Sequence, residues 1–428
     1  MITAAAPPLM AHITTGRTSL LERAAYVALL GFAAAPQFSI AASGILLGLA
    51  TILWLAVVVV NHERIEVPDM FWPLAAYAGA TLVASLFSVD PTASFRDCKQ
   101  LVLFAIIPIA YRLFHGERTL KVVDVIITVG ALNAVYGIVQ YAILNFDNIE
   151  NRIQGNLGHY MTYSGVIMLV ACIAFARVMF RRRDRLWAAL VLPAVLVALI
   201  LTLSRNAWVG ACAGIGTLLL LKSVRQALRV AAILPIALGL FVGLAPTIVS
   251  ERILSMTSLQ DRFKQTSEGR MTTASNRDRL AMLKMGALMV RDHPIAGVGP
   301  DAVVRVYAGY RSQVRGAVSQ LNSHLHNVPL QIAAERGLPA LAIWIWFVVT
   351  LLRDFLRKRK TSAVPSLATA GIACVVAMLA AGLFEYNFGD SEFLMLFLVV
   401  ITLPYAADRQ PPMGADRQPA GALASHDA

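Results

Sequence analysis

Apolar runs of roughly twenty residues recur from one end of this chain to the other, and no other feature narrows its fold as far. A helix needs about 20 apolar residues to cross the hydrocarbon core of a bilayer. Twelve runs meet that need, at about 19–37, 39–60, 70–88, 99–114, 120–143, 160–180, 186–203, 206–221, 227–247, 328–352, 364–386 and 389–406. The chain is 57% hydrophobic and 14% charged, where soluble domains carry about 25% charged residues. That balance excludes a disordered chain and argues against a water-soluble enzyme. The expected fold class is all-α, a polytopic membrane protein of about 12 transmembrane helices.

An even number of spans puts both termini on one side, and the basic residues choose the side. The short loops of one face carry sixteen Lys and Arg, including Arg181, Arg182, Arg183, Arg185 and the run from Arg357 to Lys360. The short loops of the other face carry four: Arg96, Lys99, Arg152 and Arg205. The positive-inside bias then places both termini in the cytoplasm. The net charge of +12 reflects this bias and an affinity for the lipid bilayer, so no nucleic acid partner is expected. Cys98, Cys172, Cys212 and Cys374 form no CxxC or Cys/His cluster, which gives neither a zinc site nor a disulfide framework. No cleavable signal peptide is expected in the first 18 residues.

The expected organisation is a cytoplasmic segment (1–18), helices one to nine (19–247), a periplasmic loop domain (248–327), helices ten to twelve (328–406) and a disordered cytoplasmic tail (407–428). The tail repeats itself, Ala407-Asp408-Arg409-Gln410-Pro411 returning as Ala415-Asp416-Arg417-Gln418-Pro419. The loop, at some 80 residues, is too long for a connector. It carries eleven Lys and Arg against six Asp and Glu, on the face where positive charge is otherwise sparse. Such a loop is either a surface facing anionic lipid or an anion site. The lone arginines favour the anion site. Arg205 sits between two apolar runs with almost no loop around it, a costly position that usually faces a cavity or a partner. Arg96 begins a run and Arg152 lies in a polar segment. Arginine's planar fork of donors suits phosphate oxygens. Within the loop, Met282, Met285, Leu288 and Met289 recur at helical spacing, predicting a helix from Ser275 to Arg291. Ser275 or Asn276 would cap it, placing Arg277 and Arg279 in an anion-favouring first turn. The string Asp292-His293-Pro294-Ile295-Ala296-Gly297-Val298-Gly299-Pro300 that follows reads as a structural turn, not a phosphate loop.

Ser323-His324-Leu325-His326-Asn327 is the densest polar cluster beside a membrane run. Asn327 is a plausible helix cap, Pro329 suits a first turn, and Gly337 and Pro339 break the helix before the main span. A broken helix at that depth commonly lines a cavity. Imidazole accepts a proton near neutral pH, which makes His326 a candidate general base. His324 would share its face. Two histidines without a third ligand are a weak metal signal, so no metal is expected. Glu335, Glu385, Asp390 and Glu392 are carboxylates that would either compete as base or pair with a stray arginine.

These residues resemble the O-antigen ligase family, within the larger O-antigen ligase and polymerase group. His326-Asn327, nine residues, then Gly337-Leu338-Pro339-Ala340 is similar to the family's His-(Asn/Ser/Gln)-x9-Gly-x-x-(Gly/Thr/Tyr) pattern, departing at Ala340. The helix bearing Arg279 and the turn after it, the Ser204-Arg205 junction and the single large external loop are similar to the group's layout. The resemblance implies a membrane glycosyltransferase fold with a periplasmic domain. It implies inverting transfer of a glycan from undecaprenyl diphosphate to lipid A–core, in lipopolysaccharide biosynthesis at the inner membrane, with no metal or other cofactor. His326 would take the acceptor proton, and Arg205 and Arg279 would hold the diphosphate, helped by Arg96 and Arg152. His324, Asn327, Arg277 and Gly337 would support the site. An O-antigen polymerase or a protein glycosyl ligase would use the same donor. A transporter or flippase would also have many spans, but would more often show two similar halves, which this chain does not.

Overall fold

The computed structural model describes residues 9–181, 185–244, 247–254 and 267–409. Arg182, Arg183, Arg262, Lys264 and the tail beyond residue 409, on which expectations were placed above, lie outside the described residues. Among the described residues there are helices and turns and no strand. The helices are α1 (Leu9–Ala34), α2 (Ile40–Val60), α3 (Phe71–Leu86), α4 (Pro91–Asp97), α5 (Ile106–Leu113), α6 (Arg118–Ile143), α7 (Tyr160–Phe180) and α8 (Arg185–Leu201). They continue with α9 (Arg205–Lys222), α10 (Val224–Leu244), α11 (Thr247–Leu254), α12 (Ser267–Asp292), α13 (Val303–Arg311), α14 (Val328–Thr361), α15 (Pro365–Gly382) and α16 (Ser391–Ala406).

By length and composition, α2, α6, α7, α14 and α15 are able to cross a membrane, and α3, α8 and α16 are shorter apolar helices. The chain is therefore a multi-pass membrane protein. Helices α7 and α15 are the inner ones, with 78% of each apolar window buried, against 28% for α2. Ile45, Ile52 and Val59 on α2 and Leu186 and Leu190 on α8 face outward, as lipid-facing side chains must. Association of helices in lipid rests on close packing at small residues. Gly210 and Gly214 on α9 supply it: a Cβ at either would stand 2.8 Å from a backbone carbonyl of α15, Ala377 or Ala373.

Three expectations need correction. Helix α1 begins at Leu9, ten residues before the expected span. The run 99–114 is not one helix: Cys98–Ala105 winds as a 3₁₀ helix and α5 follows. Pro108 accounts for the change, because it has no N–H to close an α-helical bond onto Phe104 and is tolerated only in a first turn. The tail is ordered at least to Arg409: Asp408 accepts from Lys358 at 2.6 Å and Arg409 bonds Glu66 at 2.9 Å.

The segment between α9 and α14 builds a second apolar cluster. Met282, Met285 and Met289 of α12 pack with Val303 and Tyr307 of α13 and with Leu325 and Ala334. The methionine stripe is thus a core face, as its spacing predicts. The polar stretch 267–274 continues α12 upstream, so Ser275 and Asn276 lie inside the helix and cap nothing. Arg277 and Arg279 consequently do not sit in a first turn, and no helix-end argument applies to them.

A backbone clasp ties this segment to the membrane helices. Helix α14 breaks at Gly337, which takes φ 81° and ψ 169°. The string 294–299 docks against the break: Val298 N–H donates to Ala334 O at 2.8 Å, Gly299 N–H to Glu335 O at 2.9 Å and Leu338 N–H to Pro294 O at 2.8 Å. The two approach so closely that a Cβ on Gly337 would meet Ile295 O at 1.9 Å, and one on Gly297 would meet Glu335 O at 2.4 Å. Left-handed backbone strain costs about 1–3 kcal/mol for a side-chain-bearing residue, and the clash adds to it. Gly337→Ala should therefore lower the melting midpoint in detergent by several degrees; an unchanged midpoint would contradict the clasp.

Candidate catalytic chamber

Helices α7, α9, α15 and α16 bring one set of ends together, and α12 and the segment 318–326 close over them. Between them lies a chamber of about 650 Å³, lined by Tyr160, Asn206, Arg279, His324, His326 and Glu385 among others. Each functional side chain is held there by an identifiable local device.

His326 precedes the start of α14, and its backbone sits at φ 50°, a region uncommon for residues other than glycine. Asn327 fixes that corner from both sides. Its Oδ1 accepts from Leu330 N–H at 2.9 Å, which caps the helix as expected, and its Nδ2 donates to Leu383 O at 3.0 Å. The second bond joins the corner to the connector that carries Glu385. That connector lies outside α15, which ends at Gly382, so Glu385 is not part of a span. Its carboxylate lies 2.9 Å from His326 Nδ1 and 3.4 Å from His324 Nε2, with Arg279 Nη2 at 3.9 Å. Tyr386 N–H donates to it as well, at 3.0 Å. Burial alone would raise the Glu385 carboxyl, but the bonds from His324 and His326 and their charge hold it well below the usual carboxylate range. An ionised carboxylate only accepts, so His326 Nδ1 carries a proton, and when the ring is neutral Nε2 keeps its lone pair. Glu385 can therefore orient that imidazole and would compensate a charge it acquired.

Beside the chamber stands a basic cluster, of which Arg279 lines the chamber itself. Arg205 Nη2 donates to Asn276 Oδ1 of α12 at 2.7 Å. Asp278, next along α12, accepts from the N–H groups of Val318 and Ser319 at 2.9 and 3.0 Å and pins that loop. Arg279 then reaches the chamber. Arg152 lies over the Tyr160 ring, 4.2 Å from its centroid. Sequence reasoning missed a fourth member, Arg252 of α11, which is 7% exposed and donates to Leu203 O at 3.1 Å. Leu203 presents that carbonyl from a left-handed backbone, φ 54°. Burial first, and then the charges of Arg205, Arg152 and Arg279, push the Arg252 guanidinium down to about 9. Burial and Arg279 likewise depress Arg152. Like charges gathered in a partly desolvated place favour an anion among them. Arg252 was one of eleven basic residues in its loop; the signal that could have singled it out is its place directly after an apolar run.

Of the expected arginines Arg279 lines the chamber, Arg205 and Arg152 stand beside it without lining it, and two others are not brought in. Arg96 ends α4 exposed and lines no part of the chamber, and Arg277 points outward from α12. The competing carboxylates have other partners. Glu335 pairs with Arg336, which also bonds Asp97 at 3.3 Å. Asp390 caps α16 through Phe393 N–H at 2.9 Å and accepts from Thr162. Glu392 does not line the chamber. His324, His326 and Glu385 could together hold a metal ion, since one ligand atom from each lies within 4.8 Å of the others. This supplies the third ligand that the two histidines lacked in the sequence.

Residues 190–345 match the family described as O-antigen ligase. That segment contains Arg205, Arg252, Arg279, His326 and Gly337 and leaves out Arg152 and Glu385. No curated protein matches the chain. If the basic cluster is an anion site, inorganic diphosphate should bind the purified protein in calorimetry. Each of Arg205→Ala, Arg252→Ala and Arg279→Ala should weaken it about tenfold or more, as expected for loss of a charged hydrogen bond worth about 1.5–3 kcal/mol. Arg96→Ala should bind as the parent does. Equal losses at all four would dissolve the distinction drawn here.

Proposed function

We propose that the chain, whose residues 190–345 match the family described as O-antigen ligase, is an inverting glycosyltransferase that moves a glycan from undecaprenyl diphosphate to a sugar hydroxyl of lipid A–core. The observation that carries this reading is one chamber lined by a carboxylate-oriented imidazole and by Arg279, with Arg205, Arg252 and Arg152 clustered beside it. Cleaving a sugar–diphosphate bond requires the charge of the leaving group to be stabilised in a place of low dielectric, which preorganised cations do. Attack by a hydroxyl requires a base.

In this reading Nε2 of His326 takes the acceptor's hydroxyl proton as the oxygen bonds to the anomeric carbon. The bond from that carbon to the diphosphate breaks, and its electron pair leaves on the diphosphate oxygen. Arg205, Arg279, Arg252 and Arg152 hold the diphosphate. Attack from the His326 wall, opposite the leaving group, inverts the anomeric carbon. Glu385 is a positioning residue, and Asn327 and Gly337 hold the corner from which His326 projects. The polyprenyl chain of the donor would lie along the apolar helices. The site faces the periplasm, and the protein resides in the inner membrane with both termini in the cytoplasm, as the distribution of basic residues supports. The step uses no metal: a base, an acceptor and fixed cations complete it.

Purified protein given lipid-linked O-antigen and lipid A–core should form product in the presence of EDTA, and His326→Ala should abolish product without loss of donor binding. Ligation retained in that variant would remove His326 as base. Chain lengthening with lipid-linked units alone would instead support an O-antigen polymerase. Arg205→Lys keeps the charge and loses the fork, so donor affinity should fall; unchanged affinity would take Arg205 out of the donor site.

A further inference from the structure

The geometry points to a second property of the same wall: we propose that His324, His326 and Glu385 form a trap for a zinc-like transition metal ion, which switches the transferase off. Its consequence for activity rests on the reading of His326 as base; the binding itself does not.

The donor atoms are already gathered. His326 Nδ1 and His324 Nε2 stand 2.9 and 3.4 Å from the Glu385 oxygens, and the two imidazole centroids are 4.4 Å apart. Zinc binds nitrogen at about 2.0–2.1 Å and carboxylate oxygen at about 2.0–2.2 Å. Two donors sharing a tetrahedral ion therefore stand about 3.3 Å apart, within a few tenths of an ångström of the two histidine–Glu385 separations, and all three donor atoms lie within 4.8 Å of one another. The surroundings also fit. Ser323 Oγ lies 3.0 Å from His324 Nδ1, so Nδ1–H can donate to the hydroxyl while the Nε2 lone pair turns toward the carboxylate. Such outer partners fix the tautomer of metal-ligating histidines. Tyr386 N–H steadies Glu385 from behind. The fourth position opens into the chamber. Two imidazoles and one carboxylate suit zinc, nickel or copper, and not magnesium or calcium, which prefer oxygen ligands.

The consequence follows from the tautomer. A metal on Nδ1 of His326 displaces the proton that Nδ1 now gives to Glu385. In the neutral ring that proton moves to Nε2, so the atom that would accept the acceptor's proton becomes a donor, with no net proton released. The base is lost without any change of shape. The arginines oppose the trap. Arg279, 3.9 Å from Glu385, repels the ion as it attracts a diphosphate. Removing it should act in opposite directions on the two ligands.

Isothermal titration of Zn²⁺ into the full chain in detergent tests this. One saturable site per chain is expected. His324→Gln, at a side chain 36% exposed and so tolerant of change, should weaken it at least tenfold, and so should Glu385→Gln. Arg279→Gln should tighten Zn²⁺ several-fold while weakening inorganic diphosphate, and Mg²⁺ should give no site. Transfer should fall over the Zn²⁺ range that fills the site and return with EDTA. Absence of a site, or one indifferent to both His324→Gln and Glu385→Gln, would overturn the trap. Binding without inhibition of an active enzyme would overturn the switch. A site that behaves as expected in a protein that transfers no glycan would refute the proposed function and leave the trap standing.

Discussion

The clasp between the string 294–299 and the break in α14 holds the two parts of this molecule in register. Three backbone hydrogen bonds cross it, to Ala334, to Glu335 and from Leu338. Backbone groups can come that close only where glycine stands, at Gly337 and Gly297. Because the clasp fixes α14, it fixes the corner at His326 and Asn327 one short helix earlier. It also anchors α12, whose C-terminal end runs directly into the string. The arginine carried by α12 and the histidine carried by the α14 corner therefore meet the same carboxylate. The mutual placement of carboxylate, imidazole and guanidinium follows from a backbone junction about three helical turns away.

The chamber and its edge bring two kinds of charge together. Glu385 is surrounded by two imidazoles and a guanidinium, and its negative charge is spent on them. Beside the chamber Arg205, Arg252 and Arg152 gather near Arg279, and like charges gathered so favour an anion among them. Such a division suits a reaction in which negative charge leaves one way and a proton the other. It also explains why the same wall would be vulnerable to a transition metal: a base oriented by a carboxylate, with a second histidine beside it, differs from a metal site by one proton.

Much of the fold was legible because apolar runs leave the backbone no alternative to a helix. The histidine corner was legible for a similar reason: Asn327, Pro329 and Gly337 each act on the backbone locally, and the cap and the break stand where their chemistry puts them. What escaped was set by distance in the chain. The N-terminal extension of α12 through 267–274 has no apolar periodicity to reveal it, so Ser275 and Asn276 resembled caps. Arg252 was indistinguishable from ten other basic residues until the fold set it beside Arg205 and Arg279. Glu385 was visible as a carboxylate near an outer turn, yet its partner lies 59 residues away, and no local spacing encodes that pairing. Arg96 shows the converse: a basic residue in the wrong loop by charge bias alone, which the fold leaves exposed.

The central claim is that the diphosphate and the base face each other across one chamber. A cryo-electron microscopy structure of the full chain with undecaprenyl diphosphate–linked glycan bound tests it most directly. The account predicts the diphosphate among Arg205, Arg252 and Arg279, with the anomeric carbon turned toward Nε2 of His326 and Glu385 still on Nδ1. A diphosphate seated away from those arginines, or an anomeric carbon out of reach of His326, would contradict it.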